Sequence, residues 1–368
     1  MRLMETLSDN IIDSNDDWPI RCAYWQSEYQ KQIPKRKRRE TRKAGLVLTG
    51  NGLSINVDKG RLIIKDGFTH YPQKAARFEF FKGALDIPPR IVIVDGNGSI
   101  SIDAIDWLYD QKVDLIRLAY DGRVQSIMSA NGYAADPKQV AWQLETQRDE
   151  SARLDFAVPL VAKKIEETLV TLEGFLPESA SRSKAIAKAE TALLDLERIP
   201  PSSIGELLAI EGTVAQGYFF AWRSLDLKWK ATSAFPIPDE WRRFFSRSSL
   251  HRTQYRIRNR NATHPINAML NYVYGILESR VRIEVIADGS DPSIGILHNS
   301  SEPERHSFVF DRMEPLRPVV DRKVLKLVEK ETFSGADFQL QSNGVVRVNP
   351  ELVRRLVNCS HFYLSPAK

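Results

Sequence analysis

The chain has 368 residues, and 42% of them are hydrophobic, which allows two or three domains with a sizeable core. Its net charge of +5 is too small to identify a nucleic-acid-binding protein by itself. The two cysteines, Cys22 and Cys359, lie far apart in the sequence and argue against a disulfide framework or a cysteine-ligated zinc site.

Residues 1–44 are predicted to form an N-terminal extension with a basic, disordered-looking composition. Its start is acidic and lacks the apolar core of a signal peptide, and no later run reaches the roughly 18 apolar residues of a membrane-spanning helix. The cytoplasm is therefore the expected location. The basic run KRKRRETRK at 35–43 either contacts nucleic acid or a partner, or belongs to a solvated tail.

Residues 45–135 are predicted to form a small, mostly β domain. The segment 46–67 alternates apolar and polar residues around Gly-Asn-Gly and Asp-Lys-Gly turns, which is typical of antiparallel strands. The segment 90–102 repeats this pattern, and the segment 102–113 has the spacing of a helix. A strand at 114–120 then turns back through an Asp-Gly pair.

Residues 136–368 are predicted to form a larger, mostly α-helical domain, which makes the fold class α+β. Apolar residues recur there at i, i+3 and i+4 among abundant Ala, Leu, Glu and Lys. Ser203 and Glu206 have the spacing of a capping box, and Pro265 suits the first turn of a helix. Helices are predicted at 137–175, 183–199, 200–222 and 263–287, and a short hairpin at 338–348.

An arginine-rich segment, 242–261, carries seven arginines and no acidic residue, so it repels itself unless it meets a counter-charge. Guanidinium groups suit phosphate recognition, and Phe244, Phe245 and Tyr255 offer rings that stack on unpaired bases. The alternative is a loop that stays solvated. The candidate DNA-binding residues are Arg242, Arg243, Arg247, Arg252, Arg256, Arg258 and Arg260.

Glu211 is a carboxylate on the apolar face of a predicted helix. Ala215, Tyr218 and Trp222 follow it at i+4, i+7 and i+11, so all four share one side. Glu206 is explained by capping, but Glu211 is not. It is either a metal ligand or catalytic acid–base, or a buried glutamate paired with an arginine.

His298 and Asp311 each follow a segment that resembles core, and Glu314 lies in the same stretch of sequence. Asp311 and Glu314 are three residues apart, so in a helical turn they project to the same side and repel each other unless a cation lies between them. One imidazole with two or three carboxylates suits Mg²⁺ or Mn²⁺. For His298 alone, a hydrogen-bonded core histidine is an equal alternative.

Asn267, Asn271 and Tyr274 are spaced along one face of the helix predicted at 263–287. Such groups position phosphates or brace metal ligands from behind, or else they are helix-packing contacts. A Mg²⁺-type site near an arginine-rich surface indicates phosphodiester chemistry, by a metal nuclease or a strand transferase. Spacing alone does not distinguish water from a sugar hydroxyl as the nucleophile.

Four ordered blocks resemble the CRISPR adaptation integrase family: AIEGTVAQGYFFAW, RNRNATHPINAMLNYVYGIL, DPSIGILH and FVFDRMEPLRPVVD. The resemblance covers about residues 45–360. It implies a β-sandwich-like N-terminal domain that mediates dimerisation and an α-helical catalytic domain with a divalent-metal site. Carried over by motif, the metal ligands are Glu211, His298 and Asp311, and Glu314 is a further catalytic residue in a supporting role.

The resemblance also implies an activity, which is metal-dependent joining of the 3′-hydroxyl ends of short DNA spacers to a CRISPR repeat, as part of antiviral defence. Each joining is a transesterification that uses Mg²⁺ or Mn²⁺. The implied partners are DNA, a second copy of the chain and a small ferredoxin-like companion protein, with no membrane. The alternatives are a metal nuclease that cuts branched DNA, a stand-alone integrase outside a CRISPR locus, and a non-catalytic DNA-binding scaffold.

Overall fold

The computed structural model describes residues 18–32, 45–69, 76–130, 135–230, 235–247, 262–298 and 306–359. The chain divides into two compact units, Met1–Thr41 and Arg42–Lys368. The described part of the first unit is helix α1, Trp18–Gln32. This helix lies within the extension predicted at 1–44. Its one proline, Pro19, is in the first turn, where a helix tolerates proline, and no glycine interrupts it. The basic run at 35–43 lies outside the described residues.

Two four-stranded sheets form the first part of the second unit. One has the order β1-β5-β7-β8 and the other the order β4-β3-β2-β6. The strands are β1 (Leu46–Thr49), β2 (Leu53–Asp58), β3 (Arg61–Lys65), β4 (Arg77–Phe80), β5 (Arg90–Val94), β6 (Gly98–Ile100), β7 (Asp114–Leu118) and β8 (Val124–Met128). Helix α2, Ile102–Asp110, connects β6 to β7.

Strand pairing agrees with the sequence pattern in part. The β2–β3 and β3–β4 pairs are antiparallel, as is the β7–β8 hairpin. The antiparallel prediction for 90–102 is wrong, because β5 pairs in parallel with both β1 and β7, and β6 pairs in parallel with β2. Each parallel pair needs a long crossover connection, which alternation along a single strand does not reveal.

The core of the β part lies between the sheets and α2. Leu48, Ile55, Ile64 and Ile91 are fully buried there and pack with Trp107 of the helix. The indole Nε1 of Trp107 donates to a backbone carbonyl 3.1 Å away, so its polar atom is satisfied inside the core. This packing gives the β part a hydrophobic core of its own.

The remainder of the second unit is mostly helical, which confirms the predicted α+β class. The predicted helix at 137–175 is divided in two at Asp149, whose side chain caps the second half by accepting from the Ser151 N–H. The helices are α3 (Pro137–Arg148), α4 (Glu150–Phe175), α5 (Ala180–Arg198), α6 (Ile204–Ala221), α7 (Pro265–Ala287), α8 (Ser307–Met313), α9 (Arg317–Lys330) and α10 (Pro350–Cys359). Strands β9 (Phe338–Leu340) and β10 (Val346–Val348) form the predicted hairpin.

Helix α7 is the central helix, with buried residues on all of its sides. It packs against α8, α9, α10 and the β-part strand β8. Val92 and Leu118 of the first sheet join the same core as the helices, so the two parts of this unit share apolar contacts. The division at 135/136 into separate domains stays a prediction. Within the part of the chain that the structure describes, no helix combines the length and the apolar character needed to span a membrane.

A close backbone approach joins α7 to the β part. A methyl group built on Gly275 would lie 1.8 Å from the carbonyl oxygen of Gly122, which is far inside van der Waals contact. Gly122 has a φ of +80°, so the turn also requires a conformation that favours glycine. The hydroxyl of Tyr272, one turn away on α7, donates to the Tyr120 carbonyl at 2.5 Å.

Replacing Gly275 with alanine is expected to lower the free energy of unfolding by about 1–3 kcal/mol, because the helix must move away from the turn. The matched control is Gly174→Ala in α4, where an added methyl meets no atom within 4 Å. The control is expected to be neutral or to stabilise by up to about 1 kcal/mol. Urea unfolding of both variants tests this, and equal effects would contradict the close approach.

Candidate active site

Lys164 joins two of the predicted site residues. Its ammonium on α4 donates to Oε1 of Glu211 on α6 and, at 2.5 Å, to Oε2 of Glu314. Glu314 begins a 3₁₀ turn, Glu314–Leu316, between α8 and α9. These contacts bring together residues 47 and 150 positions apart in the sequence. The fold thus gathers two carboxylates around one cationic group.

Arg317 supplies a second cation to Glu314. Its Nε lies 3.2 Å from Oε1, the carboxylate oxygen that Lys164 does not contact. Burial alone would raise the pKa of Glu314, but the charges of Arg317, Lys164 and His298 outweigh burial and lower the pKa to about 2. Glu314 is therefore an anion at any pH near neutrality.

Asp311 is fully buried and anchors the turn that carries His298. One carboxylate oxygen accepts from the backbone N–H groups of Ile296 and Leu297, at 2.7 and 2.9 Å. The other oxygen accepts from the backbone N–H of His298 at 3.0 Å and lies 2.9 Å from its Nδ1. Four contacts therefore occupy both oxygens of Asp311.

Gly295 allows this turn to form. A methyl group on it would lie 2.3 Å from the His298 carbonyl oxygen and 2.5 Å from the Ser307 side chain. The chain folds back on itself next to α8 at this point, so the first residue of the Gly-Ile-Leu-His block must be small. This tight turn directs three successive N–H groups at Asp311.

His298 is partly exposed, whereas its partner Asp311 is fully buried. Because Asp311 contacts Nδ1, the ring nitrogen that remains available to a ligand is Nε2. A carboxylate behind one nitrogen fixes the tautomer and raises the basicity of the other, which is a common arrangement behind metal-binding histidines. In this arrangement Asp311 orients the histidine.

The donor set fits a hard divalent cation, since Glu211, Glu314 and His298 offer carboxylate oxygens and one imidazole nitrogen. Among the described residues, no three His, Cys, Asp or Glu side chains already converge on a common point, and the Lys164 ammonium lies between the two carboxylates. The ligand set Glu211, His298 and Asp311 stays a prediction. The contacts favour Glu314 over Asp311 as the third donor.

A buried network next to Arg317 involves Asp321 of α9. Its two carboxylate oxygens accept from the hydroxyls of Tyr218 and Tyr274, at 2.9 and 2.7 Å. Burial raises the pKa of Asp321 to about 6, against the opposing effect of the two tyrosine hydrogen bonds and of Arg247 and Arg317. Tyr218 lies on α6, so this network ties together the helices that carry the site.

Relative to an Asp321→Asn variant, the protein is expected to lose stability as the pH rises from about 4 to about 6. The folded state keeps the Asp321 proton in this window, whereas the unfolded chain has already released it. A pKa raised by about two units corresponds to about 3 kcal/mol, and no further difference accumulates at higher pH. Urea unfolding of both proteins across this range measures the effect, and a pH-independent difference would contradict it.

The predicted bracing residues of α7 contact other groups than the carboxylates of the site. Asn267 donates to the Ser246 carbonyl at 2.8 Å, and Asn271 accepts from Arg247 at 2.8 Å. Tyr274 reaches the site indirectly, because the guanidinium groups of Arg247 and Arg317 both lie 5.3 Å from its ring centroid. These contacts favour the packing interpretation for the two asparagines.

The arginine-rich segment is described only as far as residue 247. Arg242 and Arg243 are exposed, and Arg247 is partly buried against Asn271 and Tyr274. Phe244 is buried, so its prediction as a stacking surface is wrong: it packs against Trp222 and His264 in the core. Arg252, Arg256, Arg258, Arg260 and Tyr255 lie outside the described residues.

An exposed aromatic surface does lie beside this segment. The ring of Phe220 carries the Arg223 guanidinium 4.4 Å from its centroid, and Arg223 also donates to the Phe245 carbonyl at 2.8 Å. Phe220 and Phe245 are both exposed. Phe220, Phe245 and Arg223 therefore place aromatic rings and a guanidinium together at the surface, and DNA binding by this surface stays a prediction.

Sequence reasoning did not assign roles to Lys164, Arg317 or Asp321. The only local signal is that Arg317 lies three residues after Glu314, the spacing of an ion pair in a helical turn. Lys164 is one of two adjacent lysines on a long helix, and its partners are distant in the sequence. No pattern along the chain distinguishes it from its exposed neighbour Lys163.

Comparisons with known proteins agree with this architecture. The family model described as CRISPR associated protein Cas1 matches residues 46–360. A CRISPR-associated endonuclease Cas1 from Leptospira interrogans serogroup Icterohaemorrhagiae serovar Lai (strain 56601) is 27% identical over 221 residues, which cover 58% of this chain and 78% of the relative.

Two solved structures share the fold. A casposase bound to integration product matches with a TM-score of 0.65 and 24% identity, over 86% of this chain and 81% of that one. A Cas6-RT-Cas1–Cas2 complex matches with a TM-score of 0.59 and 19% identity, over 87% of this chain and 32% of that one. At these identities the likeness is one of fold.

Proposed function

Because the chain belongs to the CRISPR-associated protein Cas1 family, we propose that it is a metal-dependent DNA integrase and endonuclease. Its reaction is the joining of 3′-hydroxyl ends of short DNA duplexes to a CRISPR repeat by transesterification at phosphorus. The observation that supports the proposal is that Lys164 links Glu211 to Glu314, while the Asp311–His298 pair lies close enough for the charge of His298 to act on Glu314. The Leptospira relative is named an endonuclease, and the related casposase structure holds an integration product.

Glu211, Glu314 and Nε2 of His298 are the proposed ligands of Mg²⁺ or Mn²⁺. A divalent ion held there would polarise a phosphoryl oxygen and stabilise the developing negative charge. Arg317 keeps Glu314 ionised, and Asp311 holds the imidazole by Nδ1 so that Nε2 is presented. The network of Asp321 with Tyr218 and Tyr274 fixes α6 and α9, and so limits the movement of both carboxylates.

The DNA is proposed to lie over the arginine-rich segment and the neighbouring aromatic surface of Phe220 and Phe245. Arg223, Arg242 and Arg243 are the described arginines available to phosphates there. A homodimer and a small ferredoxin-like companion complete the proposed assembly. The matched complex that contains both Cas1 and Cas2 supports a companion of this kind.

An integration assay tests the proposal. A supercoiled plasmid that carries a repeat is incubated with Mn²⁺ and short duplexes with free 3′-hydroxyl ends, and covalently joined products are counted. Glu211→Gln is expected to lower joining by at least about 100-fold while DNA binding survives, because one charged ligand is lost. The matched control is Glu190→Gln, an exposed glutamate on α5, which should join normally.

The outcomes separate the alternatives. Nicked plasmid without joined product would indicate a hydrolytic nuclease for branched DNA. Joining into plasmids without a repeat would indicate a stand-alone integrase. Biological activity that persists in Glu211→Gln would indicate a DNA-binding scaffold without catalysis.

A further inference from the structure

We propose that Lys164 is a resident cation that occupies the divalent-metal position in the metal-free protein and is displaced when the ion binds. This inference rests on the metal site of the proposed function. It adds that metal binding is an exchange of one cation for another. Lys164 thereby sets the metal affinity and keeps the empty site assembled.

The first argument is the position of the ammonium. Lys164 contacts both proposed carboxylate ligands through one atom, Nζ, so it lies where a shared divalent ion would also have to lie. The side chains of Lys164, Glu211 and Glu314 are only 16%, 19% and 8% exposed. Two carboxylates so weakly solvated repel each other strongly unless a positive charge separates them.

The second argument is the local charge. Glu211 and Glu314 supply two negative charges, and Lys164 and Arg317 supply two positive charges, so this group of four is neutral without metal. Even when the buried Asp311 carboxylate next to His298 is counted, a divalent ion added to the group would leave an excess of positive charge in a poorly solvated space. Such an excess is costly, so one of the two side chains must withdraw as the ion enters.

The third argument identifies Lys164 as the group that withdraws. Arg317 contacts the oxygen of Glu314 that faces away from Lys164, and its planar guanidinium lies against the Tyr274 ring. The ammonium of Lys164 ends a flexible four-carbon stem, and both of its described carboxylate contacts are with the proposed ligands. Withdrawal of Lys164 frees both carboxylates together, whereas withdrawal of Arg317 would leave the position between them filled.

Mn²⁺ binding to the full-length protein without DNA tests the inference. Lys164→Met is expected to bind Mn²⁺ about 10–100-fold more tightly than wild type, the factor that corresponds to a charge-assisted hydrogen bond of about 1.5–3 kcal/mol. Its melting temperature should be lower than that of wild type without metal, and this difference should shrink at saturating Mn²⁺. Calorimetry and thermal unfolding measure both effects without reference to catalysis.

Lys163→Met is the matched control, because Lys163 is half exposed and pairs instead with Glu166 and Glu167. It should match wild type in Mn²⁺ affinity and in the metal dependence of melting. Lys164→Gln removes the charge but can still donate hydrogen bonds to the carboxylates. It serves as the second variant if Lys164→Met fails to fold, with a smaller change in the same direction.

Unchanged or weaker Mn²⁺ affinity in the Lys164 variants, with binding still lost in Glu211→Gln, would overturn the exchange and leave the metal site intact. A wild-type protein that binds no Mn²⁺, and that Glu211→Gln does not alter, would overturn the proposed metal site and the exchange with it. The two failures are therefore distinguishable in one set of titrations.

Discussion

Glu314→Gln is expected to abolish Mn²⁺ binding and DNA joining, whereas Asp311→Asn should weaken binding by about 10–100-fold and regain joining at high Mn²⁺ concentration. The reason is the different position of the two carboxylates. Glu314 faces Glu211 across the Lys164 ammonium, while both oxygens of Asp311 are occupied by the turn that carries His298. Calorimetric titration with Mn²⁺, followed by the integration assay over a range of Mn²⁺ concentrations, measures both effects.

The two variants are controls for each other, because each replaces one carboxylate by an amide of the same shape within a single turn. The opposite result, with Asp311→Asn inactive at every Mn²⁺ concentration and Glu314→Gln rescued by metal, would make Asp311 the ligand, as the motif carry-over predicts. DNA binding measured in parallel separates a lost ligand from a lost substrate. Both variants are expected to bind DNA as well as wild type does, since neither carboxylate belongs to the proposed DNA-binding surface.

The sequence was most informative where structure is local. Apolar spacing located helices α2 to α7, but not α1, α8, α9 or α10. The Ser203 cap and Pro265 marked two of the helix starts correctly. The hairpin at β9–β10 and the β7–β8 return were also confirmed. These features depend on neighbours within a few residues, so a single sequence contains the information needed to predict them.

The roles of the individual site residues could not be predicted from the sequence in the same way. Spacing places Asp311 and Glu314 on one side of a turn, but it does not indicate which of them meets the backbone N–H groups of residues 296–298. Phe244 illustrates the same limit, because an aromatic residue among arginines can face either solvent or Trp222, and here it faces Trp222. Both outcomes depend on the packing of distant segments.

The charge pattern of the sequence was also insufficient to assign Lys164 to the site. Adjacent lysines on an amphipathic helix point in directions about 100° apart, so one can be solvated while the other faces the core. Lys163 pairs with glutamates on its own helix, and Lys164 with two from other segments. Because both kinds of pair satisfy a lysine, the distinction requires the tertiary structure.

Asp311→Ala is expected to lower the free energy of unfolding by about 3–5 kcal/mol, because each buried donor left unpaired costs about 1–3 kcal/mol. The change leaves the N–H groups of Ile296 and Leu297 buried without their acceptor and frees Nδ1 of His298. Asp311→Asn retains one oxygen acceptor and should lose less stability than the alanine variant. Urea unfolding without metal measures the loss directly, because no ligand then contributes.

The matched control for this loss is Asp288→Ala, since Asp288 is well exposed and its nearest cation, on Arg312, is 3.9 Å away. Removing an exposed pair of this kind should change the free energy of unfolding by at most about 1 kcal/mol. If Asp311→Ala were no more destabilising than this control, the carboxylate would not be needed to hold the turn. Its hydrogen bonds would then give no reason to prefer Glu314 as the metal ligand.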